Sequence, residues 1–319
     1  MTTAQHREQG QPNIESVTWG DMTWVNIIHP TEREIDYLAK NYPFHPLDLD
    51  DCISRRQRPK IDEYVEKGYL FFIFHFSVWN KVTRVSRYDQ LSIFASEKYL
   101  ITVHSGQLKT LVALFHQCQT DEESCQQNLG YGSGYLLYRI LDRTVDSYFP
   151  IMNSILAWIE EIEDIVFEES SGAIRELAIL RRDIVTQRRI LYSLRTVTVE
   201  LESKLRRFTK IDLSVQFGDL IDHLNKICDN LDEAREVVDI FKDTDNVLST
   251  NRLNHIVRVL TLLGSIVLPF LMVSSIYGMN IPLPGGLERG SFQTLLILLA
   301  IMFLISGSMI YSFRRWRWI

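Results

Sequence analysis

Two uncharged apolar runs near the C-terminus decide the fold of this chain: VLTLLGSIVLPFLMVSSIY at residues 259–277 and FQTLLILLAIMFLISGSMIYSF at residues 292–313. The first run would make about 28 Å of α-helix, close to the roughly 30 Å thickness of a hydrocarbon core. A single run of this kind is also typical of a buried core helix. Two in succession, separated only by a short loop, predict two transmembrane helices.

The charges that flank these spans predict their orientation. The loop between the spans, residues 278–291, carries one acidic and one basic residue. The basic residues outside the hairpin are Arg252, Arg258, Arg314, Arg315 and Arg317. Since positive flanks stay on the cytoplasmic side, both termini are expected in the cytoplasm and the loop outside the cell membrane. A two-helix hairpin cannot enclose an aqueous path alone, so a transport role requires several copies.

Composition excludes one broad class of function. The net charge of −6 disfavours a nucleic-acid binder, which needs a basic surface to offset phosphate charge. The four cysteines lie far apart without a CxxC motif, as expected of reduced thiols in a cytosolic compartment. The polar N-terminus has no apolar core of a signal peptide, so the first 250 residues are expected to stay on the side of synthesis.

Residues 1–130 alternate helical and extended patterns and predict a cytoplasmic α/β domain of mixed topology. A threonine followed three residues later by glutamate makes a capping-box signature at the start of the first helix. The patterns indicate helices at 31–42 and 45–54 and strands at 69–79 and 90–105, the last divided by a turn. The sequence contains no Gly-rich phosphate loop, His/Cys cluster or nucleophile elbow, and we expect no enzyme.

Residues 131–258 predict a cytoplasmic stalk made only of helices. Two long helical patterns cover residues 135–168 and 173–208. Beyond them no Gly or Pro occurs from Asp219 until Gly264, so a third helix can continue into the first span. The result would be one helix of about 60 residues.

One face of this third helix is acidic. Beside an apolar seam at heptad spacing run six carboxylates: Asp222, Asp229, Asp232, Glu236, Asp239 and Asp243. Like charges at such spacings repel by roughly 0.2–0.5 kcal/mol each. A solvated surface explains this face, and so does a surface that a divalent cation or a basic partner helix neutralises. Oxygen ligands of this kind suit Mg²⁺ or Ca²⁺.

A stripe of small, polar and aliphatic residues runs along one face of the helix that contains the first span. Its members recur at spacings of 3 and 4 and share one face of a helix: Asn254, Val257, Thr261, Gly264, Leu268, Leu271 and Ser275. Such a face can line a pore, and it can also pack against other helices. Pro269, in mid-span, removes one backbone hydrogen bond and either simply bends the helix or serves as a gating hinge.

The first span ends in Tyr277-Gly278-Met279-Asn280. At this position, the motif resembles that of the CorA family of divalent-cation channels. The stretch His45-Pro46-Leu47, followed by Gln57-Arg58-Pro59-Lys60, also resembles that family's HPL…QRPK segment. The basic, Trp-containing C-terminus matches as well, so that the resemblance covers nearly the whole chain.

The resemblance implies a funnel-shaped homopentamer in which five copies of the first span line a pore. Gly278, Met279 and Asn280 would form the outer selectivity ring, although Asn280 alone could also be a helix C-cap. Neutral amide oxygens can bind hydrated Mg²⁺ through its waters without holding it too tightly to leave. By the same resemblance, the pore positions are Asn254, Val257, Leu260, Leu268 and Leu271, and a ring of leucines closes a pore by dewetting.

The resemblance also implies regulation by Mg²⁺. Asp219 occupies the place of a stalk aspartate that helps to bind Mg²⁺ between subunits in the family, and Asp222 is a candidate second ligand. A partner acid is expected near Trp79-Asn80-Lys81, but that segment carries no carboxylate. Residues 281–286, directly after the motif, lack the acids that some relatives place there, and Glu288 is the only acid left in the loop.

The sequence thus predicts an α+β cytoplasmic domain followed by a long α-helical stalk and two transmembrane helices. In order, the segments are the domain (1–130), stalk (131–258), first span (259–277), external loop (278–291), second span (292–313) and basic tail (314–319). The expected function is a passive channel for Mg²⁺, and also for Co²⁺ or Ni²⁺, closed by cytoplasmic Mg²⁺. Two alternatives stay open, a proton-coupled zinc transporter of the ZntB-like branch and a coiled-coil scaffold without transport. The lack of a His/Cys cluster favours magnesium over zinc.

Overall fold

The computed structural model describes residues 13–54, 57–80, 82–167, 173–208, 211–279 and 292–315. The chain forms two compact units, one up to Lys242 and the other from Asp243 onward. The strands are β1 (Ile14–Trp19), β2 (Met22–Ile28), β3 (Lys60–Tyr64), β4 (Tyr69–Asn80), β5 (Val85–Ala95) and β6 (Tyr99–His104). The helices are α1 (Glu32–Asn41), α2 (Pro46–Ile53), α3 (Lys109–Thr120), α4 (Glu122–Leu129), α5 (Ser133–Asp146), α6 (Tyr148–Phe167), α7 (Ala173–Leu205), α8 (Ser214–Gly278) and α9 (Phe292–Arg315).

A six-stranded mixed sheet forms the centre of the first unit. Its order is β1-β2-β6-β5-β4-β3, with β2 and β6 parallel and the other neighbouring pairs antiparallel. Strand β4 begins with an apolar run, residues 69–74, that is completely buried. Because successive side chains of a strand point to opposite faces, such a run requires cover on both faces. The mixed α/β topology predicted from the sequence is confirmed.

Helices cover the sheet on its two faces. On one face, Phe71, Phe94 and Ile101 belong to a core with α1 and α2, in which the rings of Phe44 and Phe94 stack 4.0 Å apart. On the other face, α7 lies against β3, β4 and β5, and α5 lies against β6. There, α3 packs its Phe115 ring edge-on against Trp24 of β2, at 4.9 Å between centroids.

The HPL and QRPK segments have structural roles. His45 caps α2, because its Nδ1 accepts a hydrogen bond from the Leu47 N–H at 3.2 Å. The Lys60 ammonium lies 2.8 Å from the Asp51 carboxylate of α2 and also pairs with Asp62 of β3. Together these contacts attach α2 to the edge of the sheet.

The helix predictions are confirmed at one position and corrected at another. The capping box predicted at Thr31 is present, with the Thr31 N–H donating to the Glu34 carboxylate at 2.8 Å. The single helix predicted over 135–168 is wrong, since α5 ends at Asp146 and α6 starts two residues later. Pro150 accounts for the break, because in a continuous helix its ring would clash with the Asp146 carbonyl.

The long third helix is confirmed. α8 comprises 65 residues and includes Pro269 within its helical run. In the first unit its predicted apolar seam is turned inward: Leu224, Cys228, Leu231 and Val238 are buried, and Ile221 is half-buried.

Helix α7 neutralises part of the acidic face of α8. Arg188 pairs with Asp232, which also accepts a hydrogen bond from the Tyr192 hydroxyl at 2.6 Å. One heptad away, Arg181 lies 3.0 Å from Asp239. The sequence analysis offered a basic partner helix as one explanation of the acidic face. α7 is such a helix, and it belongs to the same chain. The remaining carboxylates of the face are exposed or half-buried: Asp222, Asp229, Glu236 and Asp243.

His104 is a buried titratable group of the sheet. Its Nε2 lies 3.0 Å from Asn26 Oδ1, and its Nδ1 accepts a hydrogen bond from the Gly106 N–H at 3.0 Å. Because Nδ1 is an acceptor, the neutral ring carries its proton on Nε2 and donates to Asn26. Burial, with His29 nearby, lowers the pKa of His104 from 6.5 to about 4.

We therefore expect acid to destabilise the protein through His104. The neutral ring contributes its full stability above about pH 6.5, and this contribution, about 2–3 kcal/mol, is lost as the pH falls toward 4. Thermal unfolding of the detergent-solubilised protein between pH 7.5 and 4.5 measures it. A His104→Gln variant should lose this part of the pH slope, whereas His116→Gln, at an exposed position, should keep it. Equal slopes in the two variants would contradict the assignment.

Candidate functional site

The second unit contains the C-terminal part of α8 and all of α9. Each helix has a segment long and apolar enough to cross a membrane, and almost none of that segment is buried in the chain. Apolar helices with exposed surfaces of this length are stable in a hydrocarbon core and not in water. The two predicted spans therefore correspond to two helices.

One face of α8 is turned toward α9. The partly buried residues of α8 recur at helical spacing: Leu262, Ser265, Ile266, Pro269, Phe270, Val273 and Tyr277. In α9, Met302 and Ser306 are buried, and the partly buried residues are Leu298, Met309, Ser312 and Phe313. The rings of Phe270 and Phe303 meet edge-on at 5.8 Å between centroids, which connects the two helices.

The predicted pore residues lie on the opposite face of α8. All eight are exposed: Asn254, Val257, Leu260, Thr261, Gly264, Leu268, Leu271 and Ser275. At 100° per residue, their mean direction is about 180° from the face that is turned toward α9. The stripe is uncharged, and the Thr261 hydroxyl donates to the Val257 carbonyl at 2.7 Å. The structure thus brings the eight residues together on a face that α9 leaves uncovered.

The loop motif is only partly within the described residues. Gly278 is the last residue of α8, and Met279 follows it as an exposed residue. The Met279 N–H donates to the Ile276 carbonyl at 3.2 Å and closes the end of the helix. Asn280, the loop to residue 291 and the tail from residue 316 lie outside the described residues. The selectivity role of the three motif residues stays a prediction.

Asp219 belongs to a cluster in the first unit. α5 contributes Asp142 and Asp146, one turn apart, and α8 contributes Asp219 and His223 at the same spacing. His223 Nδ1 lies 3.9 Å from Asp146 Oδ1, and His223 Nε2 lies 3.9 Å from Asp219 Oδ1. One ligand atom from each of Asp142, Asp146 and His223 lies within 4.8 Å of the others. Two carboxylates and the imidazole therefore converge on one location, and Asp219 faces the other ring nitrogen of His223.

Aromatic contacts hold the helices together beside this cluster. The ring of Phe149 meets the His223 ring edge-on at 5.8 Å, and Tyr138 of α5 packs near Phe217 of α8. Burial, and next the charge of Asp146, raise the pKa of Asp142, while Arg139, 3.4 Å away, acts in the opposite direction. A proton and a divalent cation would therefore compete for Asp142.

The cluster has the chemistry of a divalent-cation site. Carboxylate oxygens suit Mg²⁺, and a neutral imidazole nitrogen adds affinity for Co²⁺, Ni²⁺ or Zn²⁺. The Nδ1 atom of His223 is buried and makes no hydrogen bond to the described residues.

Sequence reasoning found only one of these four residues. The described acids beside His223 lie on α5, and the partner acid expected near Trp79 stays a prediction. Asp222, the second predicted ligand, comes one residue before His223, so that it points about 100° away around α8. The only sequence signal was the spacing of four within each pair, which is common on solvated helices.

Known proteins match this chain over most of its length. A family profile described as "CorA-like Mg2+ transporter protein" matches residues 19–315. The chain is 25% identical to the cobalt/magnesium transport protein CorA of Thermotoga maritima, over 93% of this chain and 83% of that protein. The solved structure of the CorA magnesium transporter from Methanocaldococcus jannaschii superposes with a TM-score of 0.78 at 24% identity, covering 95% of this chain and 94% of the other. The chain is also 22% identical to the zinc transport protein ZntB of Pectobacterium carotovorum, over 73% of this chain and 70% of that protein.

If the cluster binds divalent cations, replacing its aspartates should weaken that binding. We expect Asp142→Asn with Asp146→Asn to reduce the apparent affinity for Co²⁺ and Mg²⁺ at least about tenfold, since two oxygen ligands lose their charge. The rise of the unfolding temperature with added cation measures this affinity. In the unsubstituted protein, affinity should increase with pH, because the raised pKa of Asp142 keeps a proton on it at lower pH.

A Glu236→Gln variant is the matched control, since this residue is acidic and exposed on the same helix but lies more than three turns from the cluster. It should retain the full response to cation. The same loss of response in both variants would mean that general surface charge, and not the cluster, attracts the cation.

Proposed function

The chain belongs to the CorA-like Mg²⁺ transporter family, and from this premise we propose that it is a channel that conducts Mg²⁺ across the cell membrane as a homopentamer. The observation that carries the proposal is the uncharged face of α8 that α9 leaves uncovered. One copy has nothing to place against this face. Five copies arranged around an axis would turn it into the wall of a pore, with α9 toward the lipid.

The residues of this face fit such a wall. Asn254, Thr261 and Ser275 offer polar atoms along the path, and Gly264 leaves space beside them. Rings of Leu260, Leu268 and Leu271 would form an apolar constriction, which excludes water and ions when it narrows. The path would carry no fixed charge, so a divalent cation could pass without being held.

The selectivity ring is assigned to Gly278, Met279 and Asn280. Gly278 ends α8 on the side of the loop, so the motif would lie at the outer mouth of the pore. Neutral oxygens from the Asn280 side chain and the Gly278 backbone can bind a hydrated Mg²⁺ through its water shell. The arrangement requires both termini in the cytoplasm, as the basic flanks of the spans predict.

We assign regulation to the cluster of Asp142, Asp146, Asp219 and His223. Cytoplasmic Mg²⁺ bound there would neutralise the carboxylates and hold α5 and α8 together in a closed state. Loss of the cation would leave the acids to repel one another and would favour opening. Asp222 has no part in this version of the site.

Zinc transport is the second candidate, and one observation favours it. The imidazole of His223 lies between two carboxylates, and nitrogen ligands bind Zn²⁺ better than Mg²⁺. The sequence analysis used the lack of a His/Cys cluster as an argument against zinc. That argument is weaker in the folded chain, because residues distant in sequence place an imidazole beside carboxylates. The scaffold hypothesis has no comparable support, since the family is one of transporters.

The selectivity assignment predicts that Asn280→Ala abolishes Mg²⁺ uptake. The substitution removes the side-chain carbonyl at the mouth, and the expected loss is at least about tenfold in flux into proteoliposomes. The pentamer should remain intact by native mass spectrometry. Leu304→Ala, at an exposed position of α9, is the control and should conduct normally. Full Mg²⁺ flux through Asn280→Ala would refute the selectivity ring.

The identity of the ion and the mode of transport can be tested together. Flux of Mg²⁺, Co²⁺ and Zn²⁺ is measured in proteoliposomes under an imposed voltage and, separately, under an imposed pH gradient. A channel for Mg²⁺ should respond to voltage and to the Mg²⁺ gradient but not to the pH gradient. Zn²⁺ uptake that requires the pH gradient, without Mg²⁺ flux, would establish the zinc alternative instead.

A further inference from the structure

The outer side of α7 carries a row of exposed arginines, Arg182 and Arg189. They lie seven residues apart, nearly two turns of helix or about 10.5 Å. Each comes one residue after an arginine that pairs with α8, Arg181 or Arg188, so it points about 100° further around α7. Neither Arg182 nor Arg189 makes a salt bridge or a hydrogen bond to another described residue.

α8 carries a row of exposed acids with the same spacing. Asp229 and Glu236 are also seven residues apart. They lie on the side of the helix opposite the buried seam, which includes Leu224, Leu231 and Val238. Within the part of the chain that the structure describes, neither carboxylate accepts a hydrogen bond or forms a salt bridge. The two rows therefore have opposite charge and equal spacing.

The salt bridges within the chain show how such rows match. Arg181 pairs with Asp239, and Arg188 pairs with Asp232. Seven residues forward along α7 thus correspond to seven residues back along α8, so the two helices are antiparallel there.

An antiparallel arrangement also matches the two exposed rows. Placing Arg182 opposite Glu236 brings the second arginine opposite the second acid, because both rows have a spacing of seven. In the same register the exposed Ile240 of α8 falls opposite the exposed Ala178 of α7, so that a large apolar side chain meets a small one. An apolar contact next to ion pairs is typical of an interface between proteins.

One copy of the chain cannot bring the two rows together. The α8 of the same chain already lies on the side of Arg181 and Arg188, and the exposed arginines point away from it. A second copy can supply the acids. Rotation about an axis along α8 keeps α7 of one copy antiparallel to α8 of the next, as the register requires. A ring of identical chains needs two different surfaces that fit each other, and these rows are such a pair.

From these observations we propose that the arginine row of α7 binds the acidic row of α8 in the neighbouring copy. The pairs are Arg182 with Glu236 and Arg189 with Asp229. One such contact for each copy closes the ring. The inference rests on the proposed homopentamer and names a surface that holds it together. Glu236 lies more than three turns from His223, so the cation response of the cluster is a separate property.

Cysteine cross-linking of the full-length protein tests this contact. Chains with Arg182→Cys and chains with Glu236→Cys, each with a different affinity tag, are co-expressed and treated with a short bifunctional thiol reagent. We expect a covalent product that carries both tags. When every chain carries both substitutions, the products should extend to five linked chains. The four native cysteines are buried, so chains without new cysteines should give little product.

Arg182→Cys combined with Asp222→Cys is the matched control. Asp222 is exposed on the same side of α8 but lies about 21 Å along the helix from Glu236. This combination should give no more two-tag product than chains with a single new cysteine. Equal products from both combinations would mean that the reagent links the chains without a fixed register, which would overturn the proposal.

Charge reversal tests the electrostatic part of the contact. Arg182→Glu places like charges at every interface, and so does Glu236→Arg. Either change alone should lower the ratio of pentamer to separate chains in native mass spectrometry at least about tenfold, since the loss is repeated at five interfaces. The double variant exchanges the two charges and should restore most of the ratio. A double variant no better than the single ones would contradict the pairing.

The two measurements separate this contact from the proposed function. If the unsubstituted protein is not a pentamer in native mass spectrometry, the proposed homopentamer fails. A two-tag product in an assembly of another size would then support the contact alone. If the pentamer forms but the cysteines at positions 182 and 236 give no two-tag product, the contact is overturned and the two rows face other partners.

Discussion

The rest of this structure depends on the fact that a hydrocarbon core offers no hydrogen-bond partners. Only elements that satisfy their own backbone can cross it, and a helix does so residue by residue. The exposed apolar side chains of α8 and α9 are stable only in that environment. Every departure from a plain apolar helix within the spans therefore requires an explanation. Three such departures are Pro269, the buried hydroxyl of Ser306 and the uncharged stripe opposite α9.

In the first unit the governing interaction is burial on both faces of the sheet. An apolar run such as residues 69–74 of β4 is favourable only when helices cover its two sides, and α1, α2, α5 and α7 supply that cover. α7 has a second role, because its outer side pairs Arg181 and Arg188 with acids of α8. Two carboxylates of the acidic face thereby form salt bridges between α7 and α8.

The cluster of Asp142, Asp146, Asp219 and His223 follows from the same packing. Its acids stay close together because aromatic contacts and the buried seam of α8 hold the helices in place. Packing of this kind can hold like charges at short distance, where they repel one another. A site that is unfavourable when empty and favourable with a cation makes the packing of its helices sensitive to cation concentration. This property is what the proposed sensor of cytoplasmic Mg²⁺ requires.

Local patterns in the sequence determined the elements whose cause is local. The capping box at Thr31, the two apolar spans and the uninterrupted α8 each depend on neighbours within one or two turns, and each was predictable from spacing. Pro150 was a local signal too, and overlooking it merged α5 with α6. Tertiary structure alone decided the rest: the salt bridges of α7 with α8, the approach of Asp142 and Asp146 to His223, and the pairing of the α8 and α9 faces. Residues 142 and 223 are far apart in sequence and meet only because each helix must bury its own apolar stripe, and the orientation that this burial imposes cannot be read from either stripe separately.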